Sequence, residues 1–316
     1  MDVLRGEPVL REISFAAGHP AEVVQAPDPA PGPGQLLVRT EAVGVGVGLA
    51  RLLAAAGESG EPVRPGGEVV GTVVALGSDL PGFAVGDRVG GVVFQDAFAD
   101  LVVADPRLVG PVPAEVDAAA ALALVRGGLI ASSVLRIGRF EPGESVLVTA
   151  AASGTGHLAV QLARALGAGR VVGAVGSPDK ADFVRECGAD DVVTYAQQSW
   201  GDPVDVVLDG AGGELVQRGV AALAPFGRLV AFSAGGGNVD LAGLLGGVKS
   251  VIGFTIGTLN RNRPELVERH RAELWDLLAA GQLRPRHTDF PLDQVTDAIE
   301  LITTRVNLGR VVLRTG

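Results

Sequence analysis

Apolar positions follow two different rhythms along this chain. In its middle, residues 146–148 read Val-Leu-Val, apolar on both faces, as a strand covered by helices on each side requires. A Gly-rich stretch follows, and then Leu158, Leu162, Ala163 and Leu166 fall on one helical stripe that Gly167 closes. Further strands are predicted at 170–175, 191–195, 204–209 and 228–233, with helices at 177–187 and 215–223 between them. Strand and helix alternating at short spacing predict a parallel sheet with right-handed crossovers. Before residue 120 the rhythm changes. A Pro-rich connector at 26–34 precedes short strands at 35–42, 67–75, 87–94 and 99–103, each bounded by Gly, Pro or Asp, which suggests a small β-barrel-like domain. Beyond the parallel sheet, 264–280 and 292–304 are helical in pattern, and 309–313 is a last strand able to return to the first domain.

The Gly-rich stretch carries the first chemistry. Gly154-Thr155-Gly156-His157-Leu158-Ala159 matches G-x-G-x-x-A between the strand and the helix. The first glycine permits the tight turn, the second lets a phosphate approach the backbone, and the small Ala159 lets helix and strand pack closely. With 46 glycines in 316 residues, roughly one such match is expected by chance, so the flanking strand and stripe are what give it weight. A diphosphate is expected on the amides of residues 154–157.

The tip of the second strand bears on which dinucleotide fits. An NAD site usually carries Asp or Glu there to accept from the ribose 2'-hydroxyl. Here the strand ends Ala174-Val175-Gly176-Ser177-Pro178-Asp179-Lys180, without a carboxylate at its tip. Ser177 can cap the next helix and donate to a phosphate, and Lys180 can supply a cation, so NADPH is favoured. Asp179 would repel a 2'-phosphate unless it points away.

Composition narrows the class. A chain of 316 residues suggests two domains, and a net charge of −10 argues against nucleic acid as a partner. Cys187, the one cysteine, is read as packing, which makes a cytoplasmic location the default. No basic head with an apolar core opens the chain, and no run reads as a convincing membrane span, so no membrane association is expected.

Taken in order, PAPGPGQLLVRTEAVGV, PGGEVVGTVVALGSDLPGFAVGDRVGG, AAASGTGHLAVQLARALGA, VDVVLDGAGGELV and APFGRLVAFS resemble the medium-chain dehydrogenase/reductase superfamily, most closely its zinc-independent quinone oxidoreductase-like and enoyl reductase branch. The resemblance implies an α/β fold: a GroES-like β-barrel catalytic domain from residues 1–119 and 259–316, and a doubly wound Rossmann domain from 120–258. It also implies NADPH in the cleft and a homodimer paired through the strand near 250–256. The cofactor residues expected are Ser153, Gly154, Thr155, Gly156, His157, Gly176, Ser177, Lys180, Tyr195, Ser233, Ala234 and Gly235. Tyr195 reads equally as an aromatic cover at a strand end, and the 234–238 loop as a flexible turn.

No metal is expected. Zinc prefers thiolate and imidazole, yet Gly67 stands before Glu68 where zinc-dependent relatives carry His. His19, His157, His270 and His287 are dispersed and are read as surface or capping residues, and Glu68 as a structural residue between loops. Around the nicotinamide the chain departs from its relatives: Gly46 replaces the Asn of G-V-N-x-x-D, and Ile130 replaces a Thr. Both changes make the expected pocket more apolar. Arg126 is the charged candidate for meeting a substrate oxyanion, and Phe94 and Phe254 are pocket candidates that read equally as core. Two functions stand open: a reductase delivering hydride from NADPH to a quinone or an α,β-unsaturated ketone or thioester, or a nucleotide-binding relative with lost or altered redox chemistry.

Overall fold

The computed structural model describes residues 10–15, 21–59, 63–233 and 235–316. Two compact units emerge: residues up to Val125 together with His287–Gly316, and Arg126–Arg286.

The first unit opens with the antiparallel pair β1 (Arg11–Ser14) and β2 (Glu22–Gln25). There follow β3 (Leu36–Val45), α1 (Val47–Ser59), β4 (Gly67–Leu76), β5 (Arg88–Val93), β6 (Leu101–Ala104), β7 (Val109–Pro111) and α2 (Ala118–Ala123). The second unit holds α3 (Leu129–Ile137), β8 (Ser145–Thr149), α4 (Gly156–Ala165), β9 (Arg170–Val175), α5 (Ala181–Glu186), β10 (Asp191–Thr194), β11 (Val204–Asp209), α6 (Glu214–Ala221), β12 (Leu223–Ala231), α7 (Leu241–Leu245), β13 (Ser250–Gly253), α8 (Ile256–Asn262) and α9 (Pro264–Ala279). The chain then returns to the first unit with β14 (His287–Pro291), α10 (Val295–Thr303) and β15 (Arg310–Arg314).

In the first unit β3 is the hub. It pairs antiparallel with β4, β6 and β15 in a seven-stranded sheet ordered β14-β15-β3-β4-β5-β7 with β6 off the path. The last strand thus returns to the first body, as its pattern suggested. Leu36, Val38, Val43, Val69, Val73 and Leu313 fill the core beneath it, and Phe15 meets Phe98 edge to face at 5.3 Å. The short strands β1, β2 and β7 and the helix α1 are not legible in the pattern. They are short or, for α1, follow two glycines that read as loop.

In the second unit the six strands run β10-β9-β8-β11-β12-β13, all parallel. This is the doubly wound order whose direction of winding reverses between β8 and β11. Leu147, Val172, Val207 and Leu229, one from each of β8, β9, β11 and β12, share one core cluster with Val216 and Val220 of α6. At the end of α4, Gly167 adopts φ +90°, with Ala168 N bonded to Ala163 O at 2.9 Å and Gly167 N to Arg164 O at 3.0 Å. That double bond is a Schellman closure, which a left-handed glycine makes without strain.

The compact units divide a second time at 286/287, where the resemblance implied a domain boundary at 258/259. The reason is that α9 packs on α3, where Ser133 Oγ and His270 Nδ1 lie 2.9 Å apart in the buried interior. From Ala118 to Ile137 the chain is helical and apolar enough, by length and composition, to cross a membrane, but 78% of its most apolar window is buried inside the protein. A core helix passes the same test.

Candidate active site

The carboxyl ends of β8, β9, β11 and β12 bring four loops to one edge of the second unit, at the reversal point where open α/β sheets bind ligands. The loop after β8 is the Gly-rich turn. Ala150 takes φ +51°, and Ser153 Oγ accepts from Gly156 N at 3.0 Å. A Cβ on Gly156 would stand 2.0 Å from Ala150 O, so only glycine lets α4 start this close to the strand. The first backbone bond closing α4 runs from His157 N to Ser153 O at 3.1 Å. The amides of Gly154 and Thr155 precede that bond and are the ones a helix start turns toward an anion. Gly127 sits against this turn, its Cβ position 3.3 Å from Gly154 O. It belongs to a single π-helical turn, Leu124–Gly128, that also carries Arg126.

His157 turns its ring into the protein interior. Its ring is fully buried, Nδ1 lies 2.9 Å from Ser153 O, and Nε2 accepts from Arg286 N at 3.0 Å. An accepting Nε2 leaves the proton on Nδ1, so the ring donates to Ser153 O and latches the turn to residue 286. His270 is likewise interior, against the surface position expected for it. His287 lies near Asp289, with Nδ1 2.5 Å from Oδ1, and His19 falls outside the described residues.

At the strand tip Gly176 is exposed, with only the Tyr195 ring, at 3.7–3.8 Å, near its Cβ position. The Tyr195 hydroxyl accepts from Ala150 N at 2.8 Å, so this residue joins the end of β10 to the Gly-rich turn. Its ring also tilts against Trp200, over which Arg218 stacks at 4.5 Å. Ser177 caps the following turn, and Asp179 points back onto it: Ser177 Oγ donates to Asp179 Oδ2 at 3.0 Å. Lys180 is half-buried, and burial holds its ammonium below the usual lysine range.

The loops after β11 and β12 are braced by residues that sequence reading missed. Thr149 Oγ1 donates to Asp209 Oδ1 at 2.7 Å and accepts from Gly210 N and Ala211 N at 3.0 and 3.2 Å, while Asp209 Oδ2 accepts from Gly212 N at 3.0 Å. Both side chains are fully buried, and burial pushes the Asp209 carboxyl up. A carboxylate ending an apolar strand run was the available signal; its threonine partner lies 60 residues away. Ser233 Oγ donates to Ala211 O at 3.1 Å and accepts from Gly235 N at 3.0 Å, tying the two loops together. Ala234 lies outside the described residues.

Residues 32–114 match the alcohol dehydrogenase GroES-like domain, and residues 154–272 match the family described as zinc-binding dehydrogenase. Quinone oxidoreductase-like protein 2 of Mus musculus is 30% identical over 296 residues, 87% of this chain and 84% of that protein. The chain belongs to the medium-chain dehydrogenase/reductase superfamily, in its quinone oxidoreductase-like and enoyl reductase branch. It also matches the spectinabilin polyketide synthase system protein NorB of Streptomyces orinoci at 33% identity over 260 residues, 78% of this chain, but spans only 12% of that protein's length. Among solved structures, the quinone oxidoreductase of Thermus thermophilus, determined also with NADPH, superposes at a TM-score of 0.79 with 31% identity, over 96% of this chain and all of that one.

The family's dinucleotide fits the second unit: the close approach at Gly156, the orphan amides beside it and the open tip at Gly176 are the features such a ligand needs. Zinc does not fit the first unit. Gly67 offers no donor, and among the described residues no group of three or more His, Cys, Asp or Glu could hold a metal. The space beside Gly44 and Gly46 is taken instead by Arg310. Its Nη2 donates to Glu68 Oε2 at 2.6 Å and its Nη1 to Val45 O at 2.8 Å, and a Cβ on Gly44 would lie 1.9 Å from Nη2. Glu68, on β4, thus pairs with Arg310 at the start of β15. Among the described residues other than its two chain neighbours, only this guanidinium places heavy atoms within 4 Å of a Cβ at position 46.

The remaining pocket candidates divide. Phe94 is 77% exposed and belongs to no core, whereas Phe254 is 9% exposed. Arg126 is exposed on its π-helical turn, Ile130 is half-buried, and Ala131 beside it is buried. Cys187 is buried, and burial pushes its thiol up to about 11, which suits packing and not nucleophilic attack.

Proposed function

We propose that this chain is an NADPH-dependent reductase that delivers hydride to a quinone or an α,β-unsaturated ketone or thioester without zinc. The observation that carries the reading is the turn at 153–156, held at the reversal point of the sheet and braced by Tyr195 below and Thr149–Asp209 beside it. When bound, NADPH supplies a hydride for an electron-poor carbon. The protein's part is to hold the dinucleotide and keep its loops fixed. Gly154 and Thr155 offer amides to the diphosphate, while Ser177 and Lys180 meet the adenosine ribose. Ser233 and Gly235 keep the loop after β12 in register with Ala211. In the first unit, Arg310 Nη1 lies beside Gly46 and donates to Val45 O at 2.8 Å.

The test is oxidation of NADPH, followed by its absorbance, against a panel of quinones, enones and enoyl thioesters. Turnover with at least one class is expected. Tight NADPH binding with no turnover across the panel would replace this reading with that of a nucleotide-binding relative whose redox step is lost, an outcome that Gly46 and Ile130 keep in view.

A second copy of the chain is proposed at the β13 edge. That strand closes one side of the parallel sheet, and unpaired strand edges call for a cover. Phe226, Leu241, Leu245 and Val248, each 66–73% exposed, lie on segments joined to one another by the Phe226 N to Gly247 O and Val248 N to Leu245 O bonds. Sedimentation equilibrium should report a dimer that Val248→Glu weakens; a wild-type monomer at micromolar concentration refutes it.

A further inference from the structure

The turn after β9 receives the adenosine ribose in the reading above, and its hydrogen bonds do not suit a 2'-phosphate alone. Ser177 Oγ donates to Asp179 Oδ2 at 3.0 Å and accepts from Asp179 N at 3.4 Å. A serine hydroxyl has one proton to give. Committed to Asp179, it leaves only lone pairs for an arriving ligand, and a phosphate dianion needs donors. Asp179 is itself exposed and adds a negative charge at the same turn. A ribose 2'-hydroxyl meets no such obstacle, since it can donate to the carboxylate. Half-buried Lys180 next along the chain favours the phosphate. Gly176 and the Tyr195 ring alongside it leave the tip open to either ribose.

We infer that Asp179 is a selectivity residue that keeps NADH competitive with NADPH: its carboxylate withholds the Ser177 hydroxyl from a 2'-phosphate and offers an acceptor to a 2'-hydroxyl. The inference rests on the dinucleotide reading of this edge and adds a cofactor range to it. An amide oxygen competes for the hydroxyl less strongly than a carboxylate does and carries no charge. Asp179→Asn therefore frees Ser177 and removes the repulsion together.

The experiment is fluorescence titration of the full chain with NADPH and with NADH, for wild type, Asp179→Asn, Ser177→Ala and the double variant, at low and high salt. Wild type should bind the two nucleotides within about tenfold of each other. Asp179→Asn should tighten NADPH about five- to tenfold and weaken NADH about two- to threefold, and the NADPH gain should shrink as salt screens the charge. Ser177→Ala should change NADPH binding less than about twofold in the wild-type background and about fivefold or more beside Asn at 179, a coupling that a merely structural cap would not produce. An NADPH-to-NADH ratio unmoved by Asp179→Asn, or a Ser177→Ala effect equal in both backgrounds, overturns the inference while leaving the dinucleotide site intact. Binding of neither nucleotide by wild type overturns the site itself, and the inference with it.

Discussion

Adding one methyl group to Gly156 should separate a glycine that the fold requires from one that it merely contains. In Gly156→Ala the new Cβ would stand 2.0 Å from Ala150 O, 2.8 Å from Ala150 C and 2.9 Å from Ala151 Cα. All three are backbone atoms, so no side chain can swing aside, and the turn must retreat by more than an ångström, the order of the gap to ordinary contact. Ala150 already sits at φ +51° without being glycine, which leaves the segment little slack. Overpacking of this kind costs about 1–3 kcal/mol, and the better helix propensity of alanine offsets at most about 1 kcal/mol. A net loss of roughly 1–2 kcal/mol in urea denaturation is expected. NADPH affinity should fall further, by about tenfold to a hundredfold, because the amides of residues 154 and 155 move out of hydrogen-bond geometry toward a charged group. Gly176→Ala is the matched control. Its Cβ would meet only the Tyr195 ring at 3.7–3.8 Å, ordinary contact, and its backbone is not left-handed. Stability within about 0.5 kcal/mol of wild type is expected there. If Gly156→Ala proves as stable as Gly176→Ala and binds NADPH like wild type, the close approach of α4 to β8 does not seat the diphosphate.

Arg310→Met would leave Glu68, 8% exposed, as a buried charge without its partner, and should destabilise the protein by about 3–5 kcal/mol. Adding Glu68→Gln should recover most of that loss in urea denaturation; no recovery would mean the pair is not what the substitution breaks. Burial, reinforced by the charge of Arg136, holds the His270 imidazole below the ordinary histidine range. The unfolded chain therefore takes up this proton before the folded one does, so the stability it contributes is full above about pH 6.5 and is lost as pH falls through the depressed folded value. Thermal melts of His270→Gln across that window should slope less than wild type, and parallel slopes would refute the assignment. Lys180→Ala should weaken NADPH about tenfold and NADH less than about twofold by titration, with equal losses counting against the 2'-phosphate contact.

Apolar spacing alone delimits the strands at 170–175 and 204–209 correctly, and the strand, Gly-rich turn and helix at 146–167 nearly so. Those elements are written in short-range terms. A strand apolar on both faces, a helical stripe and a terminal glycine each depend on residues within one or two turns of each other, so spacing is enough to read them. The same holds for Ser177 as a cap, whose partner is two residues away. What spacing could not supply is which distant segment meets which. Arg310 reaches Val45 across 265 residues and fills the space that an apolar reading of Gly46 left empty. Thr149 finds Asp209 across 60 residues, and His157 becomes an interior latch because residue 286 returns to it. The two pocket phenylalanines, alike on paper, part company for the same reason, one exposed and one covered. Burial and hydrogen-bond partners are properties of how the chain comes back on itself, and side-chain chemistry at a single position does not encode that return.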